Sequence, residues 1–542
     1  MSDNEIESLP SRVPEDEIQP QSLIVEEEKQ ENQTIQKVES KASLDYADAE
    51  QRPPIFRSNI HEVLCCLFLT FAPCASSMAS GAYQTSLTAI SDHFNVTGGK
   101  LTWCVSGVTL ANGSCLLIMG SIADAFGRKR ALLIGYSGFA IFSLIAGFMN
   151  DFILLCVFRA IQGAMVACGT PAAAGFLGAS YKNSKRKNLV MSCFGIGAPV
   201  GAASGYFIAG ICIEALNWRA VQYFFAIWYC MMFFGVLFCL PNDRKIDWKN
   251  AREIFRGIDY CGAFLSLSGF TLICFSLTQV DATTSRWRTP YIIALLVVGV
   301  ALVIGFGIYE TYVPKNPLMP MIMFKNRNFV VCISIVSLSW MLFTGILNYN
   351  AVLYFEQIRK YSVIITACCF LPQPLIGVLV NIFAGFTMHI IPGKYLITIG
   401  CGGFVVASII WATNSIDRNY FLGPFWGFCL VVIGVDLIYN VSNRCALSSV
   451  ERKLQSRAAG TFNTVCQLSS SVGLGISTTI LAAKDPYYGQ ANQQDHPVDL
   501  FNATKYTYYL GIAISGFSAI LSLFLNLGVV GSVKRQNSVT RK

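Results

Sequence analysis

The feature that most constrains this chain is a succession of about fourteen stretches, each roughly twenty residues long and nearly free of charge, separated by short polar connections. A helix needs about twenty apolar residues to cross about 30 Å of hydrocarbon, and in lipid its backbone groups must be satisfied within the segment. The stretches fall at 62–83, 101–122, 131–149, 152–175, 189–211, 219–240, 258–280, 290–313, 328–350, 361–386, 394–413, 420–442, 458–483 and 506–531. Only 13% of the 542 residues are charged and 53% are hydrophobic, whereas soluble chains are about a quarter charged. A soluble globular enzyme is excluded. The pattern predicts an all-α polytopic membrane protein with about fourteen transmembrane helices.

The flanks differ from the body. Residues 1–57 are rich in Glu, Gln, Ser and Pro, include Glu26-Glu27-Glu28, and are predicted to form a disordered acidic cytosolic tail. Residues 533–542 read as a short basic cytosolic tail. No cleavable signal pattern opens the chain, so the first span is expected to direct targeting. With both termini inside, the inner connections carry more than twice as many Lys and Arg as the outer ones, as the positive-inside rule requires. The basic surplus is thereby explained without a nucleic-acid partner. The twenty cysteines lie mostly inside apolar runs, where Cys behaves as a small hydrophobe. The four histidines are too scattered for a metal site, and no Gly-x-x-x-x-Gly-Lys-Ser/Thr loop is present for ATP. No cofactor and no enzymatic activity are expected.

A weak internal repeat aligns Gly120 to Gly135 with Gly385 to Gly400, placing Lys129 over Lys394. It predicts two six-helix halves, 58–240 and 314–532, with a central loop and two inserted helices at 241–313. Parallel halves are a recurrent transporter plan.

Three motifs carry chemistry. Gly120-x-x-x-Asp124-x-x-Gly127-Arg128-Lys129 joins spans two and three. Gly120 is expected to permit close helix approach, Asp124 to pair with the basic cluster or a positive helix end, and Arg128 to Arg130 to anchor at the inner surface. Arg159 lies inside span four with Gln162 and Gly163 near the same face; an intramembrane guanidinium is a functional candidate by default, a snorkelling or structurally paired arginine being the plainer alternative. In span five, Gly197, Gly201 and Gly205 recur every four residues around Pro199, which reads as close packing with a bend.

The first motif resembles the signature loop of the major facilitator superfamily, which the family uses as a conformational gate. Arg159 is similar to that family's fourth-helix arginine, implying substrate binding or proton coupling with Gln162. The span-five glycines resemble its exporter motif, with Ala198 where a glycine is usual. The span count narrows the resemblance to the fourteen-spanner drug:proton antiporter branch. Arg186-Lys187-Asn188, Ile308-Tyr309-Glu310, Pro317-Leu318-Met319-Pro320 and Gly434-Val435-Asp436 resemble the fungal aminotriazole-resistance and ammonium-facilitator group.

Asp436 is the deepest acidic residue and the candidate protonatable group, and Asn463 is a candidate along the same pathway. Glu310 is expected to pair with Lys315 or Arg327. Bacterial members of the branch often carry an acid in span one, where this chain has Met78 to Gln84 without one. The resemblance implies a monomeric secondary transporter of the plasma membrane, or alternatively the vacuolar membrane, exporting small toxic molecules in exchange for protons. The alternatives are a facilitator or uptake carrier for an ammonium- or borate-like solute, and a transporter-like sensor.

Overall fold

The computed structural model describes residues 51–525 apart from 182–184, 244–252, 254–256, 281–285, 315–316, 389, 449, 451–454 and 491–492. The expectations for residues 1–50 and 533–542 fall outside the described residues. Every long element described is a helix, and thirteen helices are long and apolar enough to cross a membrane. Trp103–Phe126, a 24-residue helix, occupies the place expected for span two. The order then follows the sequence reading, through Arg128–Gly147, Phe152–Ser180, Lys185–Ala215, Trp218–Cys239, Tyr260–Thr278 and Pro290–Tyr312 to Pro497–Leu523.

Span nine is longer than expected. It continues from Arg327 to Ile358, because the apolar run Ala351-Val352-Leu353-Tyr354-Phe355 carries the helix past Asn350. Two of its stretches, Met341–Asn348 and Tyr354–Ile358, are π-helical, a geometry that concentrates at functional sites. Span ten, Val363–Thr387, is interrupted after Phe370, where Pro372 and Pro374 remove two backbone donors. Span thirteen, rich in Ser, Thr and Gly, is a helix over Gln455–Lys484. Its hydroxyls turn back to the helix's own carbonyls, as Ser470 does to Cys466, or across to neighbours, as Ser469 does to Ser337 at 2.7 Å.

Two large apolar cores result among the described residues, with two small clusters around Phe306 and Cys274 beside them. One is built from residues between 56 and 240, with Phe139 stacked on Tyr229 at 3.8 Å between centroids. The other draws mostly on residues between 323 and 525, around Phe355, Phe370, Trp411 and Phe428. Because lipid tails are themselves apolar, such cores are stabilised by fit and dispersion more than by removal from water.

Hydrogen bonds tie these two portions together from mid-bundle to the end that carries the short helix Leu87–Phe94. Thr464 donates to the Gly113 carbonyl at 2.9 Å, Gln84 to that of Thr344 at 3.4 Å, and the Ile364 amide to Glu214 at 3.1 Å. Thr88 donates to Glu356 at the same end. We call this the far end, opposite the one where span one begins.

Candidate functional site

Arg159 sits about 10 Å along span four from its start at Phe152, and is buried. Asp151 begins that helix by accepting from the Ile153 and Leu154 amides. The guanidinium donates to the Cys104 carbonyl at 3.2 Å and to Gln162 Oε1 at 2.8 Å, and lies over the Tyr83 ring 3.2 Å from its centroid. Gln162 in turn donates to Gln222 Oε1 at 3.3 Å. No carboxylate forms an ion pair with Arg159 among the described residues. Its charge is held by dipoles and a π face, an arrangement that leaves a net positive centre inside the bundle. The Tyr83 hydroxyl and Gln222 Nε2 are buried beside it with no hydrogen-bond partner.

Asp436 lies in the middle of span twelve, Pro424–Ser448. Asn381 donates to its Oδ2 at 3.1 Å, and Asn440 donates both to Asn381 Oδ1 and to the Asp436 carbonyl at 2.9 Å. A Cβ added at Gly377 would stand 3.0 Å from Asp436 Oδ2 and 3.3 Å from Pro199. The carboxylate therefore sits where spans ten and twelve meet the proline of span five. Asn463 is apart from it, accepting from the Tyr439 hydroxyl at 3.1 Å and donating to the Ala459 carbonyl at 2.9 Å. Thus Arg159 and Gln162 are brought together, while Asp436 and Asn463 occupy separate networks.

The span-five glycines face span one. A Cβ at Gly197 would be 2.7 Å from the Thr70 carbonyl, and one at Gly201 or Gly205 only 2.1 Å from the Cys74 or Met78 carbonyl oxygen. Pro199 is on the span-ten side of the same helix. Gly163 plays a similar part in span four, against the Val108 carbonyl.

The loop between spans two and three differs from its expected role in two respects. Gly120 has open space where a Cβ would go, so it supports no close approach. Lys129 does not anchor at the surface: it is buried, its Nζ donating to the Leu237 and Leu240 carbonyls at 2.8 and 2.6 Å and to Asn242 Oδ1 at 2.9 Å. It caps the end of span six, whose last carbonyls lack helical partners. Asp243 answers from the other side, accepting from the Lys129 and Arg130 amides at 3.2 and 2.9 Å and so capping span three. Gly127 makes this possible, with φ of 106° and no side chain where the Asp243 carboxylate lies. Arg128 donates to the Gly175 carbonyl of span four at 2.7 Å. The side chain of Asp124 lies outside the described residues. Asp243→Ala is expected to lower stability by about 1–2 kcal/mol through loss of the cap, read as a lower thermal midpoint in detergent.

Glu310 also differs from expectation. Lys315 is outside the described residues, Arg327 packs over Phe524 at 5.8 Å, and Glu310 instead accepts from the Met319 amide at 3.4 Å. Sequence reasoning missed Gln222, Asp243 and Glu356. Glu356 was hidden by ending span nine at 350; the apolar run to Phe355 was the available signal.

Comparison with known proteins follows the same lines. The family model for the Major Facilitator Superfamily matches residues 69–474. The chain is 26% identical over 494 residues to a low affinity ammonium transporter of Saccharomyces cerevisiae, covering 90% of this chain and 92% of that protein. It is 26% identical over 451 residues to the aminotriazole resistance protein of the same yeast, covering 82% and 80%. Similarity to the multidrug transporter mdr3 of Aspergillus fumigatus is 27% over 387 residues, covering 71% and 65%. Among solved structures, the fold resembles a bacterial homologue of the human peptide transporters PepT1 and PepT2, with a TM-score of 0.58 at 11% identity, covering 85% of this chain and 98% of that one. The fold, the family match and the relatives agree: this chain belongs to the Major Facilitator Superfamily and is a multi-pass membrane transporter.

Proposed function

We propose that the protein exports small toxic molecules across the plasma membrane in exchange for protons. The observation that carries this reading is Asp436, a mid-span carboxylate that accepts from the amide of Asn381, itself held by Asn440, and which adjoins the proline of span five. A carboxylate at that depth is costly when charged and unpaired, and much less so when it holds a proton. Being at a junction of helices from both portions of the chain, its surroundings change whenever the portions rock. Arg159, with the Tyr83 hydroxyl and Gln222 Nε2 buried beside it, supplies polar contacts for substrate.

In the same reading, residues 58–240 and 314–532 move as two halves, with 241–313 inserted. The Lys129–Asp243 clamp keeps spans three and six together, and Arg128 ties them to span four, at the cytosolic face as the access gate changes. Both termini are cytosolic and the protein works as a monomer. The aminotriazole-resistance and multidrug relatives support export. The ammonium-transporter relative, which matches nearly the whole chain, favours a second reading as a carrier for a small polar solute.

Growth of deletion and overexpression cells against a panel of toxic compounds tests the first reading. Overexpression should raise tolerance to at least one compound, and Asp436→Asn expressed at the same level should not. Unchanged tolerance across the panel, with solute-dependent growth on limiting ammonium, would favour the carrier.

A further inference from the structure

At the far end, Glu356 projects from the π-helical turn Tyr354–Ile358 of span nine towards the short helix Leu87–Phe94 that prolongs span one. Its Oε2 accepts from the Thr88 hydroxyl, and its Oε1 is buried with no hydrogen-bond partner. This contact joins the two portions of the chain at the point where they close against each other.

Among the described residues no cation pairs with the carboxylate. Arg359 turns to the Ile416 carbonyl and donates to the Tyr361 hydroxyl at 2.8 Å, while Tyr354 donates to the Ser415 carbonyl at 3.2 Å. Lys360 is exposed. His93 lies 3.4 Å from Arg219, and His496 lies 3.7 Å from Asp499. Lys484 and Lys505 stand over the Tyr506 and Phe501 rings. Asp92 stands one turn beyond Thr88 on the same helix. A small cavity of about 30 Å³ lies at the same end, lined by Ser91, Thr97, Leu353, Gln357, Tyr488 and Gln493 among others. That is room for about one water with several polar partners.

We propose that Glu356 is a proton-binding site that latches the far-end gate: the carboxyl holds a proton while the gate is shut, and releases it to water as the gate opens. A neutral carboxyl leaves no uncompensated charge between the helices, whereas the carboxylate would be enclosed with one hydroxyl donor and an orphan oxygen. Opening hydrates it. The proton passes from the carboxyl oxygen to a water that reaches it as the gate opens, and no other group changes its bonding. The shut gate thus binds the proton more tightly than the open one. Low pH favours the shut form, and that preference is lost as pH rises. This inference rests on alternating access by the two portions, but not on export or on coupling through Asp436.

Hydrogen–deuterium exchange on the purified full-length protein tests it, after correction for the chemical exchange rate. Segments 86–94 and 349–358 should be protected at about pH 5.5 and lose at least about tenfold protection at about pH 8.5, while Glu356→Gln should stay protected at both. Asp92→Asn, a change of the same size at an exposed position, should move the loss of protection to lower pH, because a repelling charge is removed; movement to higher pH would contradict the latch. Identical pH profiles for the wild type, Glu356→Gln and Asp92→Asn would overturn the proposal. Proton-driven transport with a pH-independent gate would remove the Glu356 latch and leave the antiport reading in place. A pH-dependent gate without proton-driven transport would do the reverse.

Discussion

Replacing Arg159 by alanine is expected to reduce transport by roughly 100-fold or more while leaving the amount of protein in the membrane near normal. The guanidinium is buried, donates to Cys104 and Gln162, and lies on Tyr83. Charge-assisted bonds of this kind are worth about 1.5–3 kcal/mol each in situ, and a transport cycle that uses the charge loses it entirely. Folding suffers less, because removing a buried cation that has no carboxylate partner also removes its desolvation cost. Arg159→Lys should be only partly active, since an ammonium cannot serve both acceptors and the ring through a planar fork. Flux in vesicles, normalised to protein by immunoblot, is the measurement. Wild-type flux from Arg159→Ala would make the residue a structural strut.

Gly201→Leu is expected to be the most damaging single change to packing, costing about 3 kcal/mol or more in stability together with most of the flux. Even the first added carbon would stand 2.1 Å from the Cys74 carbonyl oxygen, far inside contact distance, so spans one and five must separate. The backbone of a membrane helix yields poorly to such a wedge, because close approach is itself what holds the pair. Gly120→Ala is the control, with open space at that position: its thermal midpoint should stay within about 0.5 kcal/mol equivalent of the wild type. Equal behaviour of the two variants would show that the glycine seam does not hold spans one and five together.

What the sequence revealed, and what it hid, follows from the range of the interactions. Spans are legible because each is set by about twenty consecutive residues, whereas helix ends were missed in several places: span nine runs on through Ala351 to Phe355, span twelve continues to Ser448, and span fourteen begins at Pro497, in the polar stretch before 506. The span-five glycines were legible because their spacing of four puts them on one face, although the partner, span one, was not. Pairings between distant positions were not legible at all. Nothing local to Asp243 announces that it caps a helix beginning at Arg128, and nothing near Gln222 announces Gln162. Gly120 shows the converse failure: a motif position suggested tight packing, and the structure leaves it open. Asp436 was found from depth alone, while its amide partners on span ten and one turn along its own helix emerged only from the fold.

The most direct measurement of proton-coupled export is uphill flux in reconstituted vesicles under an imposed proton gradient, using a compound identified by the growth screen. The wild type should accumulate the compound against its own gradient, and dissipating the proton gradient should collapse that accumulation. Asp436→Asn should lose accumulation yet retain counterflow exchange of labelled for unlabelled compound, because substrate binding and rocking survive while the proton carrier is gone. Flux that follows the compound's gradient alone, with Asp436→Asn as active as the wild type, would contradict the account.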